Sequence, residues 1–198
     1  MKSIHKIDLY LTRFINQFVY SNKTISSILK YITHTSSGRT YILYFLIIPF
    51  LPKATGGLVS NDLASFIWVY GGAAFIVFQL PSYFLIKNTF KRVRPDTGDG
   101  IRAATNPPDK FSFPSGHSAS ATFLCLIVLQ QGSVLAPYFV LWMTVIFISR
   151  VGLGLHYVSD VLGGITLGAA TFCITLQISA LDLHASHSAY RFLSGLLN

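Results

Sequence analysis

Glutamate is absent from the 198 residues, aspartate occurs only seven times, and charged residues make up 11% of the chain. That is less than half the share found in an ordinary soluble domain, so little of this molecule is built to face water. Hydrophobic residues amount to 52% and the mean hydropathy is +0.53, which excludes a disordered or fibrous polypeptide. The shortage of charge is one-sided, because 15 Lys and Arg stand against the seven Asp and leave a formal +8. Without a long polar surface these cations cannot form a nucleic-acid stripe, and no nucleic acid is expected as a partner. Phosphate or anionic lipid headgroups suit them better. Cys125 and Cys173 have no ligand-type neighbour in sequence and read as small core residues. There is no internal repeat, low-complexity tract or linker to a second domain.

What the chain has instead is long charge-free runs. A spanning helix needs roughly 20 apolar residues. Leu63 to Ile86 supplies 24 residues without a charge and Val161 to Leu181 supplies 21. Phe111 to Ser149 is charge-free for 39 residues and is broken by Gln130, Gln131, Gly132 and Ser133, the pattern of a helical hairpin. Thr40 to Pro52 offers only 13 residues between Arg39 and Lys53, and spans if both basic side chains snorkel outward. Ile4, Ile7, Leu11, Phe14, Ile15 and Phe18 recur at helical spacing opposite Lys6, Arg13 and Gln17, and Ile25, Ile28, Leu29 and Ile32 do so more briefly. Both stretches predict amphipathic helices, lying at the membrane interface or else packed on the bundle. Asp8 and Arg13 interrupt what would have to be the apolar core of a cleaved signal peptide.

The expected fold is therefore all-α: a polytopic membrane bundle of about five transmembrane helices, possibly six. The helices are Thr40 to Pro52, Leu63 to Ile86, Ser115 to Gln131, Ser133 to Ser149 and Asp160 to Leu181. One domain covers 1–198, with interfacial helices over 1–36, a membrane core over 37–182 and a tail over 183–198. His184 and His187 in that tail are three apart, with no further ligand type nearby to complete a metal site.

Chemistry concentrates at three places flanking these runs. Lys87 and Arg94 are seven residues apart, about two helical turns, so both are expected on one face at the end of their helix. Pro95 then ends the element. A point charge beside a planar fork suits an anion with several oxygens, although a basic flank anchoring a helix has the same look. Pro114, Ser115, Gly116 and His117 precede the next apolar run. Proline and small residues at a helix start expose first-turn N–H groups at the positive end of the helix dipole, an anion cradle with an imidazole beside it. A plain N-cap accounts for Pro114 and Ser115 but not for Gly116 and His117. Ser149, Arg150, His156 and Asp160 form the third place. Four positions apart, His156 and Asp160 are expected on one helix face, the carboxylate accepting the Nδ1 proton in a hydrogen bond and leaving Nε2 as nucleophile or base. The alternative is a buried capping pair, yet a charge opening a 21-residue apolar segment is costly without a partner and a task.

Together these residues resemble the type 2 phosphatidic acid phosphatase superfamily of membrane phosphatases acting on lipid phosphates and pyrophosphates. Its three signatures are present in order and spacing as Lys87, Arg94 and Pro95, as Pro114 to His117, and as Ser149, Arg150, His156 and Asp160. The resemblance implies that His156 attacks phosphorus and becomes phosphohistidine with Asp160 holding its tautomer. It implies that His117 protonates the leaving group, and that Lys87, Arg94, Ser115, Gly116 and Arg150 hold the phosphate oxygens. No metal or other cofactor is expected, since three cations and a helix terminus can stabilise the charge. The expected partners are a lipid phosphate substrate and membrane lipids. Phosphatidic acid, phosphatidylglycerophosphate and undecaprenyl pyrophosphate all remain open as substrates. A phosphotransferase of the same superfamily and an anion transporter are the competing readings. Counted over five spans, 13 of the 15 basic residues fall on the motif face, which the positive-inside rule assigns to the cytoplasm. The resemblance instead implies an active site on the outer face of a bacterial inner membrane.

Overall fold

The computed structural model describes residues 2–95, 100–105 and 109–196, with side chains over 5–95, 100–105 and 109–182. The described residues form helices and no strand. Helix α1 spans Lys2–Ser21, α2 Lys23–His34 and α3 Gly38–Ile47. A 3₁₀ turn, Ile48–Phe50, and a short helix, Leu51–Ala54, follow α3 at Pro49 and Pro52. Helix α4 covers Asn61–Phe90, α5 Gly116–Gln130, α6 Ala136–Gly152 and α7 Val158–Leu196. The hairpin expected from the Gln130–Ser133 break is the α5–α6 pair. By length and composition α4 and the Val158–Asp182 part of α7 are able to cross a membrane, while α5 and α6 are shorter apolar helices. The segment 183–196 continues α7 as helical backbone, and the His184 and His187 side chains lie outside the described residues. Cys125 is buried, but Cys173 is exposed on α7 rather than in the core.

The centre of the bundle is the α5–α7 contact. A Cβ on Gly164 would lie 2.4 Å from the Ser115 carbonyl oxygen, and one on Gly168 2.3 Å from that of Ala119. Only glycine lets these two backbones meet so closely, the small-residue packing typical of apolar helices in lipid. Helix α4 is widened into π turns at Ile67–Gly71 and Phe75–Gln79. Pro81 accounts for the second, because its ring crowds the carbonyl four residues back and its nitrogen donates no bond. Aromatic packing of Tyr41, Phe75 and Phe123 fills the space between α3, α4 and α5.

Helix α1 reverses the usual soluble arrangement. Ile7, Tyr10, Phe14 and Phe18 are exposed, whereas Asp8, Thr12, Asn16 and Val19 are buried. The buried set repeats every three or four residues, a polar stripe turned towards the protein. Asp8 Oδ1 accepts from Ser159 N at 3.0 Å and Thr12 Oγ1 from Val158 N at 3.2 Å. Helix α1 thus caps the start of α7, whose first N–H groups have no partner of their own. Asn16 donates to the carbonyls of Arg102 and Gly152 at 3.0 and 2.9 Å, tying the same helix to the loop after α4 and to the end of α6.

Candidate active site

The three motif regions meet around one cavity of about 520 Å³, lined among others by Lys87, Arg94, Gly116, His117, Arg150 and His156. Each arrives from a different element. Lys87 lies in the last turn of α4 and is buried. Arg94 does not share that helix face. The helix ends at Phe90 and Lys91 adopts the left-handed conformation, φ 46°, so Arg94 reaches the cavity from a non-helical segment. Periodicity could not have foreseen this, because the turn breaks the phase between the two cations. They converge through a third residue, Asp109. Its Oδ2 accepts from Lys87 Nζ at 2.8 Å and from Tyr83 Oη at 3.0 Å, its Oδ1 pairs with Arg94 Nη2, and its carbonyl accepts from Arg94 Nε at 3.0 Å. Burial alone would raise the Asp109 carboxyl, but the hydrogen bonds and charges of Lys87 and Arg94 outweigh it and hold the group below the usual carboxylate range.

Arg150 comes from the end of α6 and is 2% exposed. Its Nη1 donates to Thr33 Oγ1 at 3.0 Å, while Nε and Nη2 meet no acceptor among the described residues. A buried guanidinium with two unmet donors is costly unless an anion arrives to take them. His156 sits in the turn between α6 and α7, not on α7. Gly154, at φ +72°, shapes that turn, and a Cβ there would strike the Arg102 carbonyl at 2.5 Å. His156 Nε2 lies 3.5 Å from Arg94 Nη1 and Nδ1 lies 3.6 Å from Asp160 Oδ2. The ring therefore has one nitrogen towards the cations and the other towards the carboxylate. At 3.6 Å the second contact is too long for a hydrogen bond, so the expected proton-sharing pair is adjacent but not closed. Burial, with Arg150, Arg94 and Lys87 adding to it, pushes the His156 imidazole well below its ordinary value and keeps it neutral near pH 7.

Asp160 is instead held by other groups. Its Oδ2 accepts from Tyr157 N at 2.9 Å and its Oδ1 from Arg92 Nη1 at 2.7 Å. Arg92 also pairs through Nη2 with Asp8 on α1 at 2.8 Å and lies 4.0 Å over the Tyr157 ring. Desolvation works against the Arg92 charge, but the two aspartates more than offset it and raise its pKa.

The second motif divides. Ser115 caps α5, its Oγ accepting from Ser118 N at 3.3 Å and lying 2.8 Å from Ser118 Oγ, and it is fully buried. The hydroxyl expected to hold a phosphate oxygen is thus engaged in the cap. Gly116 and His117 do line the cavity, and their N–H groups fall in the first turn of α5, where helix geometry provides no acceptor. A Cβ on Gly116 would lie 2.9 Å from Tyr83 Cε2, so glycine here makes room for the tyrosine that reaches Lys87 at 2.6 Å.

Sequence reasoning missed Asp109, Arg92, Tyr83 and Asp8. Asp109 has no spacing relation to either cation. Asp8 did leave a trace, as the first of the polar positions 8, 12 and 16, spaced four apart along one face of α1. Among the described residues no group of three or more His, Cys, Asp or Glu comes together in a way that could hold a metal.

A family profile described as the PAP2 superfamily matches residues 62–182. The chain is 35% identical over 108 residues to decaprenylphosphoryl-5-phosphoribose phosphatase of Mycobacterium tuberculosis, covering 54% of this chain and 58% of that protein. It is 32% identical over 99 residues to phosphatidylglycerophosphatase B of Bacillus subtilis, covering 44% and 46%. The matched region thus spans about half the length of these relatives. Two crystal structures share the fold. The transmembrane PAP2-type phosphatidylglycerolphosphate phosphatase of Bacillus subtilis has a TM-score of 0.68 at 22% identity, with 91% of this chain and 88% of that one covered. Aquifex aeolicus LpxE has a TM-score of 0.67 at 22% identity, with 85% and 94% covered.

Proposed function

Because the chain belongs to the PAP2 superfamily, we propose that it is a membrane phosphatase hydrolysing a lipid phosphate or pyrophosphate through a phosphohistidine intermediate. The observation that carries the reading is Arg150, buried against the cavity with Nε and Nη2 unmet, beside Lys87, Arg94 and a His156 ring whose Nε2 faces Arg94. An anion with several oxygens answers every one of these donors. The phosphate displaces Asp109 from Lys87 and Arg94, takes the open donors of Arg150, and accepts from the N–H groups of Gly116 and His117.

In the first step His156 Nε2 forms a bond to phosphorus as the bond to the leaving oxygen breaks, and His117 gives that oxygen a proton. The His156 Nδ1 proton closes onto Asp160 as the ring gains positive character. In the second step His117 takes a proton from water, the water oxygen bonds to phosphorus, and the P–N bond breaks to release phosphate. Lys87, Arg94 and Arg150 supply the positive charge around the equatorial oxygens throughout. Residues 1–198 form one domain with five spans in 37–182. The exposed apolar face of α1 lies against lipid, and the site opens on the outer face of the membrane.

Phosphate release from lipid phosphates and from p-nitrophenyl phosphate by the purified protein tests this. His156→Ala is expected to abolish turnover of both. His117→Ala is expected to lose 10²- to 10⁴-fold on an alkoxide leaving group and much less on p-nitrophenolate, which leaves without a proton. Substantial turnover by His156→Ala, or equal losses for His117→Ala on both substrates, would overturn the assignment.

A further inference from the structure

Two turns of α4 below Lys87, at the end of the second π turn, Gln79 lines the same cavity. The offset of eight positions corresponds to about 12 Å along a helix. Gln79 is 2% exposed, its Nε2 lies 3.0 Å from Ser120 Oγ, and its Oε1 is buried with no donor among the described residues. Turning the amide over only exchanges which end is unmet, because Ser120 Oγ faces one end in either orientation. Ser120 also lines the cavity and lies three residues beyond His117 on α5, about one turn deeper. Its carbonyl is occupied by Tyr41 Oη at 2.7 Å, which fixes that side of the pair. Phe75, Leu80 and Ala119 add apolar surface to the lining. A buried amide with one end unmet in apolar surroundings is destabilising, and packing gives no reason for a glutamine where leucine would serve.

The partner it calls for is neutral and able both to donate and to accept, which describes a hydroxyl. A second phosphate at this depth would require a buried cation, whereas the further cation of the lining, Arg39, is exposed. We propose that Gln79 and Ser120 form a hydroxyl-binding subsite just past the leaving-group position at His117. This subsite selects lipid phosphates whose leaving alcohol carries a free hydroxyl next to the scissile oxygen, as a glycerol or a sugar does. Leaving alcohols with no such hydroxyl, such as diacylglycerol or a prenol, are the disfavoured class. The inference rests on the phosphatase reading and narrows its substrate.

The test compares phosphatidylglycerophosphate with its 2′-deoxy analogue, which differs only in the hydroxyl next to the leaving oxygen, by kcat/KM in the full-length protein. The wild type is expected to favour the hydroxylated lipid by roughly 10- to 100-fold, the effect of leaving one buried polar group unmet. Gln79→Met, of similar length but without the amide, is expected to bring that ratio to about one. Ser120→Ala, which frees the amide from its anchor, should lower the ratio in the same direction. A wild-type ratio near one, or a ratio that survives Gln79→Met, would refute the subsite while leaving the phosphatase reading intact. Failure to turn over either lipid and p-nitrophenyl phosphate as well would refute the phosphatase reading itself, and the subsite with it.

Discussion

Arg92→Met is the perturbation that most directly probes how the nucleophile's neighbourhood is held. Arg92 bridges two aspartates, Asp160 at 2.7 Å and Asp8 at 2.8 Å, and donates to Ser159 Oγ at 2.6 Å. The Asp160 side chain is fully buried and that of Asp8 is 8% exposed. Methionine keeps most of the side-chain volume and removes the charge, leaving two buried carboxylates near one another without their shared cation. Breaking a buried ion pair from one side costs about 3–5 kcal/mol. Arg92 itself is 27% exposed, so water reaches part of the gap, and a loss nearer 2–3 kcal/mol is the working figure. Removing Asp8 as well eliminates one of the stranded charges. Asp8→Asn with Arg92→Met should therefore be less destabilised than the sum of the single changes by about 1–2 kcal/mol. Catalysis should fall with stability in the single Arg92 variant, because Asp160 is displaced from His156 Nδ1. A kcat loss on the order of 10²-fold with little change in KM is expected, as for a group that acts through its neighbour. Arg92→Lys, which keeps the charge but not the fork, should recover part of it. The assays are thermal unfolding in detergent for the four members of the cycle and steady-state phosphate release. Strict additivity, or an Arg92→Met protein as stable and as active as the wild type, would refute the bridging role.

Two further expectations concern the cavity itself. Asp109→Asn removes the carboxylate that occupies Lys87 and Arg94, so inorganic phosphate and vanadate should bind several-fold more tightly, and KM should fall; weaker vanadate inhibition would show that Asp109 builds the site instead of competing for it. His156 should remain neutral where an ordinary histidine is half protonated. Burial and the neighbouring cations depress its folded value, so the unfolded chain takes up the proton first and stability falls as the pH drops through about 6.5. A histidine NMR signal that is missing in His156→Ala and shows no titration between about pH 7.5 and 5.5 is expected, and a midpoint near 6.5 would contradict the geometry.

The helices and the three motifs were legible in the sequence because both are local properties. A charge-free run of 24 residues specifies a helix suited to an apolar solvent wherever it sits, and Leu63 to Ile86 lies inside α4. The hairpin break at Gln130–Ser133 and the N-cap at Ser115 follow from the same nearest-neighbour chemistry. What the sequence could not show is how charges separated by tens of residues cancel one another. Asp109 lies 22 residues from Lys87 and 15 from Arg94, and Asp8 lies 84 from Arg92; those pairings exist only after the chain has been folded back on itself. The polar stripe of α1 likewise looks like the wrong face of an interfacial helix until it is seen capping α7. The left-handed turn at Lys91 overrode the spacing argument for Arg94, and the turn at Gly154 lifted His156 off the helix it was expected to share with Asp160. Local propensity sets which residues become helical. Which buried charge meets which, and which one is left open for a ligand, is decided by the tertiary structure, because in a low-dielectric interior every ion must find its counter-charge at contact distance.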